Sequence, residues 1–175
     1  MSTAKWALDP AHSELQFKVK HMMISTVTGS FKNFTVNVSS DSTDFSSAKI
    51  SFSADIASID SGNEQRDTHL KSADFFDAEK FDALKFEAKN YDAKSGKLSG
   101  DLTIKGIAKP VQLDVEFAGT NKDPWGNEKA GFTLSGKINR KDWGLNWNAA
   151  LETGGVLVSE EVRINAEIQL VKQAA

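Results

Sequence analysis

The chain contains no cysteine, which removes a disulfide framework, a thiol nucleophile and a thiolate metal site together. Histidine is nearly as scarce. His12, His21 and His69 are the only three, and no two share a strand or helix face with a third ligand nearby, so the donor set argues against a metal centre. A basic stripe is missing as well: 21 Lys and Arg are interspersed among 24 Asp and Glu for a net charge of -3. Nothing in that pattern tracks a phosphate backbone, and nucleic acid is set aside as a partner. Long apolar runs are absent too. The longest uncharged stretch, 22–31, includes Ser25, Thr26, Thr28, Gly29 and Ser30 and falls well short of the ~18 apolar residues a transmembrane helix requires. The last scarcity is tyrosine, with one Tyr against eleven Phe. Tyr carries a polar tip and Phe does not, so the skew implies aromatic surface that faces something dry.

What is present is alternation. Ser13, Leu15, Phe17, Val19 and His21 share one parity while Glu14, Gln16, Lys18 and Lys20 share the other, the pattern of a strand with one apolar face. Val27, Gly29 and Phe31 continue it, and then the apolar parity flips to Phe34, Val36 and Val38. Such a flip implies an inserted residue near Lys32-Asn33 that bends the strand. Further combs follow at Ile50 to Ile56, Leu84 to Ala88, Leu98 to Ile104, Val111 to Phe117, Phe132 to Ile138 and Val162 to Leu170. A short opening strand at Trp6 to Leu8 is expected to cover an edge.

One segment departs from period two. Ser61-Gly62-Asn63-Glu64 fits the S-x-x-E capping box and leads into two helical turns over Gln65 to Lys71. Asp9-Pro10, Gly106 with Pro110, Asp123-Pro124-Trp125-Gly126 and Gly154-Gly155 punctuate the other connections. No linker or repeat divides the chain, so residues 1–175 form one domain. Eight antiparallel strands, each with one apolar face, are best satisfied by closing the sheet into a barrel, with the helix inserted between strands three and four. An eight-stranded interior is either filled by side chains or holds one small ligand.

Several motifs carry no chemistry. Gly131 to Lys137 imitates the phosphate-loop spacing, yet Ile138 stands where Ser or Thr is needed and the segment alternates as a strand. His12-Ser13 lacks the nucleophile elbow of a hydrolase. More telling are polar residues on apolar combs: His21, Arg140 and Glu160. A buried guanidinium needs a partner, so Arg140 is expected at a barrel mouth, paired with a carboxylate such as Glu160 or facing an anionic ligand group. Leu70, Phe75 and Phe76 around the helix either roof an apolar tunnel or plug one end.

Asp9-Pro10-Ala11-His12-Ser13-Glu14-Leu15, Val27-Thr28-Gly29-Ser30-Phe31, Arg66-Asp67-Thr68-His69-Leu70, Ser72-Ala73-Asp74-Phe75-Phe76-Asp77, Gly100-Asp101-Leu102-Thr103-Ile104-Lys105-Gly106 and Arg140-Lys141-Asp142-Trp143-Gly144-Leu145 occur here in order. In this the chain resembles the YceI-like polyisoprenoid-binding family over nearly its whole length. The resemblance implies an all-β, eight-stranded, lipocalin-like antiparallel barrel that binds a polyisoprenoid or other long-chain amphiphile, without covalent chemistry or a cofactor, and that pairs as a homodimer. On that basis Phe17, Val19, Phe31, Phe52, Ile56, Phe86, Leu102, Phe132 and Ile138 are expected to line the cavity, with Leu70, Phe75 and Phe76 near one end and His21 and Arg140 meeting the head group. Two other readings stand beside it: an enzyme acting on a lipid head group with His21 or His69 as base, and a filled, ligand-free interaction barrel. The opening residues 1–10 hold no apolar signal core, so the expected compartment is the cytoplasm, or the periplasm if a signal has been removed. Burying one isoprene unit is worth nominally about 4 kcal/mol, so a long chain would far exceed the ~18–21 kcal/mol at which affinities saturate. Summed burial therefore does not set chain length; tunnel depth and the mouth do.

Overall fold

The computed structural model describes residues 4–22, 24–41, 45–46, 48–146, 148 and 158–173; the expected Gly154-Gly155 turn lies outside them. The strands are β1 (Ala4–Leu8), β2 (Glu14–His21), β3 (Ser25–Phe31), β4 (Phe34–Ser40), β5 (Lys49–Asp55), β6 (Ile59–Asp60), β7 (Ala83–Asp92), β8 (Lys97–Ile104), β9 (Ile107–Lys122), β10 (Glu128–Asn139) and β11 (Glu161–Lys172). Helix α1 (Glu64–Lys71) falls between β6 and β7.

These segments make an eight-stranded, closed antiparallel barrel in which three strands are interrupted. β1 and β2 both pair with β11 and are one strand broken at Asp9–Ser13. β3 and β4 are a second, broken at Lys32-Asn33: β3 pairs with β2 and β6, β4 with β1 and β5. β5 and β6 are the third. From there the sheet runs through β7, β8, β9, β10 and β11 back to β1. The parity flip at Lys32-Asn33 is thus a full bend, held where Lys32 donates its N–H to the Ser58 carbonyl at 3.1 Å and Asp55 donates to that of Asn33 at 2.9 Å. Trp6 to Leu8 covers no edge. It closes the barrel, paired on both sides.

The break in the first strand is built by Asp9. Its carboxylate accepts the Ala11 N–H at 3.2 Å and lies 2.6 Å from the Lys129 ammonium and 2.9 Å from His12 Nδ1. The hydrogen bond from Lys129, and then that from His12, hold its carboxyl below the usual carboxylate range against the opposing effect of burial. The helix cap lies two residues later than the capping-box spacing predicts. Asn63, not Ser61, is the cap and accepts the Arg66 N–H at 2.9 Å. Gly62, at φ 80, turns the chain there, so Ser61 faces inward and gives its N–H to Asp67 at 2.8 Å.

Large inward side chains need gaps opposite them. A methyl group on Gly29 would stand 2.3 Å from the Phe17 ring, so the absence of a side chain there is what lets that ring lie flat against the wall. At Gly100 the added atom would meet the Glu87 carbonyl at 2.3 Å, beside a bulge in β7 between Ala88 and Asn90.

Candidate functional site

The barrel interior is open. Wall residues Val111, Leu113, Val115, Leu134, Ile138, Val162 and Ile164 are only half-buried although their strands belong to a closed sheet, because they face a cavity of about 590 Å³. That volume is in the range of small-molecule sites. It answers the question the alternation left open and removes the filled-barrel reading.

The two ends of the cavity differ. Strand directions bring Trp6, Val38, Tyr91, Leu98 and Leu170 to one end and His21, α1 and Arg140 to the other. At the first end, the Phe45 ring packs 5.3 Å from Trp6, 5.5 Å from Phe117 and 5.1 Å from Phe132, and Phe117 stacks on Phe132 at 4.9 Å. The floor is therefore aromatic and dry. At the other end the cavity meets Asn63, Gln65, Arg66 and His69 of α1 and its cap, together with His21 and Arg140. This is the polar mouth.

Arg140 is 3% exposed, and among the described residues its hydrogen-bond partners are backbone oxygens. β10 ends at Asn139 and a short 3-10 turn begins at Arg140, which swings the guanidinium beneath the segment leading to β11. Its Nε donates to the Ser159 carbonyl at 2.9 Å, Nη1 to that of Leu145 at 2.6 Å and Nη2 to that of Val158 at 3.3 Å. The expected pairing with Glu160 is not made. The Glu160 carboxylate lies 2.8 Å from the Lys141 ammonium, and that bond keeps its carboxyl below the usual range. Burial lowers the Arg140 pKa and the nearby Glu160 charge partly opposes the shift. A planar fork suits three carbonyls in a way a point charge does not. Val158 and Ser159 in turn bridge to the end of β2, through a pairing with His21 and a bond from the Ser159 N–H to the Lys20 carbonyl at 3.0 Å. Trp143, on the same turn, donates Nε1–H to the Leu102 carbonyl at 2.8 Å.

The Phe-Phe corner roofs the mouth. Phe75 packs edge-on against His69 at 5.1 Å with the Arg140 guanidinium 5.9 Å above its ring. Phe76 meets Phe31 at 6.0 Å, and Phe31 meets Phe17 at 5.6 Å. His69 Nε2 is 2.9 Å from the Asp74 carboxylate. Among the described residues no cluster of three or more His, Cys, Asp or Glu is placed to hold a metal ion.

Of the residues expected at the site, Phe17, Val19, His21, Phe31, Phe52, Leu70, Phe75, Phe76, Phe86, Leu102, Phe132, Ile138 and Arg140 all line the cavity. Ile56 does not. The comb was extended one residue too far: β5 ends at Asp55, whose side chain accepts the Ala57 N–H at 3.1 Å and starts a turn that buries Ile56 within the wall. Missed by the sequence reading were Phe45, Tyr91 and Arg66, each of which lines the cavity.

A family model described as a YceI-like domain matches residues 6–170. The chain belongs to the YceI-like family. Its relatives include a UPF0312 protein of Staphylococcus aureus (strain N315), 45% identical over 165 residues, 94% of this chain and 95% of that one. A second, from Staphylococcus epidermidis (strain ATCC 12228), is 43% identical over 166 residues, 94% and 96% of the two chains. Among solved structures, BcnA of Burkholderia cenocepacia superimposes with a TM-score of 0.79 at 25% identity, over 93% of this chain and 98% of that one. The Campylobacter jejuni YceI protein gives 0.75 at 35%, over 95% and 97%. A polyisoprenoid binding domain from Saccharophagus degradans shares the fold at a TM-score of 0.67 and 16% identity, over 96% and 98%. The YceI-like barrel here thus keeps the eight-stranded architecture of its relatives. Among its described residues no helix is long and apolar enough to cross a membrane.

Proposed function

We propose that this YceI-like barrel is a carrier or sequestering protein for a long-chain amphiphile such as a polyisoprenoid, bound tail inward with its polar head at α1. The observation that carries this reading is a cavity of about 590 Å³ walled mainly by apolar side chains, whose cationic and histidine lining residues gather at one end. An apolar tail gains ~0.8 kcal/mol for each methylene taken from water, and it gains nothing from the mouth. A polar head is costly to bury among the floor rings and finds donors at Arg66, Asn63 and Gln65. Catalysis is not needed to account for the arrangement.

Native mass spectrometry of the purified protein, with solvent extraction of anything it carries, tests the reading. The expected result is a one-to-one complex with a long-chain amphiphile, or uptake of an isoprenoid alcohol supplied in solution. Recovery of no such molecule and no uptake would refute it. Replacing His21 or His69 by Ala removes at most a contact with the head and leaves burial of the tail in place; turnover of a bound lipid, lost on either substitution while binding survives, would favour an enzyme instead.

A further inference from the structure

Four large apolar side chains are exposed among the described residues: Met22, Ile24, Ile107 and Trp125. An isolated apolar residue on a surface is ordinary, and Trp125 is of that kind. It is 84% exposed on the β9–β10 turn at the floor end, where Lys122 pairs with Glu128. The other three stand at the mouth. Met22 and Ile24 belong to the β2–β3 turn that follows His21, a lining residue of the cavity. Ile107 opens β9 opposite Ile104, another lining residue. A methyl group on Gly144 would lie 3.6 Å from Ile107 Cδ1, so Ile107 adjoins the turn that carries Arg140.

The first tip is apolar against the preference of its own backbone. Ile24 is 82% exposed and donates its N–H to the His21 carbonyl at 3.2 Å, closing a turn in which Met22 takes φ 53. Gly or Asn would adopt that left-handed position with less strain, and a polar side chain would suit water better at Ile24. Nothing within the fold calls for either residue, which points to a contact outside it. The closed strand order sets the two tips half-way round the barrel from each other, β2–β3 on one side of the mouth and β8–β9 on the other. Both meet a single surface only if that surface is broad and the mouth faces it. On the β10–β11 side between them the carboxylates are already matched, Glu160 by Lys141 at 2.8 Å and Glu161 by Lys137 at 3.7 Å.

We propose that the mouth rim seats on a lipid bilayer, with Met22, Ile24 and Ile107 entering its interfacial layer and the barrel opening turned toward the membrane. A bilayer is broad, and it yields to two separated tips without a groove shaped for either. The choice of lipid over protein rests in part on the amphiphile carriage proposed above: a tail that passes from barrel to bilayer through this contact stays out of water throughout.

Sedimentation with phosphatidylcholine vesicles tests the contact and needs no cargo. The wild type is expected to pellet with vesicles, and to do so equally well at about 0.5 M salt, because the contact is apolar. Ile24→Ser should lower the partition coefficient at least about tenfold. Ile107→Ser, at a side chain only 37% exposed, should lower it about threefold, and Trp125→Ser at the far end less than about twofold. Failure of the wild type to bind vesicles, loss of binding with salt alone, or an equal loss in Trp125→Ser overturns the proposal. So does a dimer in solution that Ile24→Ser dissociates while neither protein binds vesicles, since the tips then meet a second copy. Vesicle binding through Ile24 by a protein that takes up no amphiphile refutes the carrier reading alone; uptake from solution by a protein that binds no vesicles refutes the docking alone.

Discussion

Four aromatic rings close one end of the barrel, and a buried guanidinium holds the other in shape. At the floor, Phe45, Trp6, Phe117 and Phe132 touch one another through ring contacts alone, and their arrangement is decided by volume and close packing. At the mouth, Arg140 gathers three backbone carbonyls from the segment before β11, and the arrangement is decided by the geometry of donors and acceptors. The difference shows how a single sheet produces a polarised cavity. The strands meet the cavity mainly with apolar side chains, so the walls do not orient a ligand. Orientation comes from the ends, where Phe45 and α1 stand outside the regular alternation.

The largest effect expected from breaking this contrast is at Arg140. Arg140→Met takes its donor from the carbonyls of Leu145 and Ser159, while that of Val158 keeps the Asn148 amide at 2.7 Å, and should lower stability by about 3–5 kcal/mol in denaturant unfolding, and the conservative Arg140→Lys should recover only part of it. Gly100→Ala comes next. Its new methyl group meets the Glu87 carbonyl rather than a movable side chain, and a loss of about 1–3 kcal/mol is expected by the same measurement. Trp143→Phe keeps the ring but removes the donor to Leu102, for about 1–2 kcal/mol.

Asp9 supplies a pH test near the closed end, where it ties the broken first strand to Lys129 at the start of β10. Its carboxyl is held below the ordinary value of 3.8, first by Lys129 and then by His12. A depressed carboxylate favours the folded state above its unfolded pKa, and that contribution fades as the pH falls through the lowered folded value. Asp9→Asn should therefore flatten the acid limb of the stability curve below about pH 4 while leaving its shape near neutrality unchanged. A variant whose acid limb matches the wild type would contradict this role. The smallest change in stability is expected for Gly29→Ala, under about 1 kcal/mol, since the Phe17 ring in its way can turn. That ring then enters the cavity, so chain binding should weaken more than stability does.

The walls were legible in the sequence because alternation reports directly on which side of a strand is apolar. The combs from Leu15 to Val19 and from Leu98 to Ile104 needed only counting, and the bend at Lys32-Asn33 announced itself as a parity flip. Tyr91 was hidden by a similar flip: the bulge between Ala88 and Asn90 shifts the register, and the comb stops at Ala88 before the single Tyr turns inward. Phe45 was harder. It is the one apolar residue between Asp41 and Ser47, and a lone Phe in a polar connection carries no period to reveal where it points. Arg140 was placed inside by parity, but its partners are carbonyls, which no side-chain inventory displays. Arg66 sits on a helix with no buried residue, so no apolar stripe singled it out. The imbalance between Phe and Tyr also gains a sharper meaning: eight of the eleven Phe line the cavity, and the one Tyr lines it with them.

The difference between the two ends is tested most directly by a crystal structure of the protein with a geranylgeranyl-length amphiphile carrying bromine at the tip of its tail. This account places the anomalous bromine peak in contact with Phe45 and the polar head beside Arg66 and His69. A peak at the mouth, or an amphiphile bound outside the barrel, would contradict it.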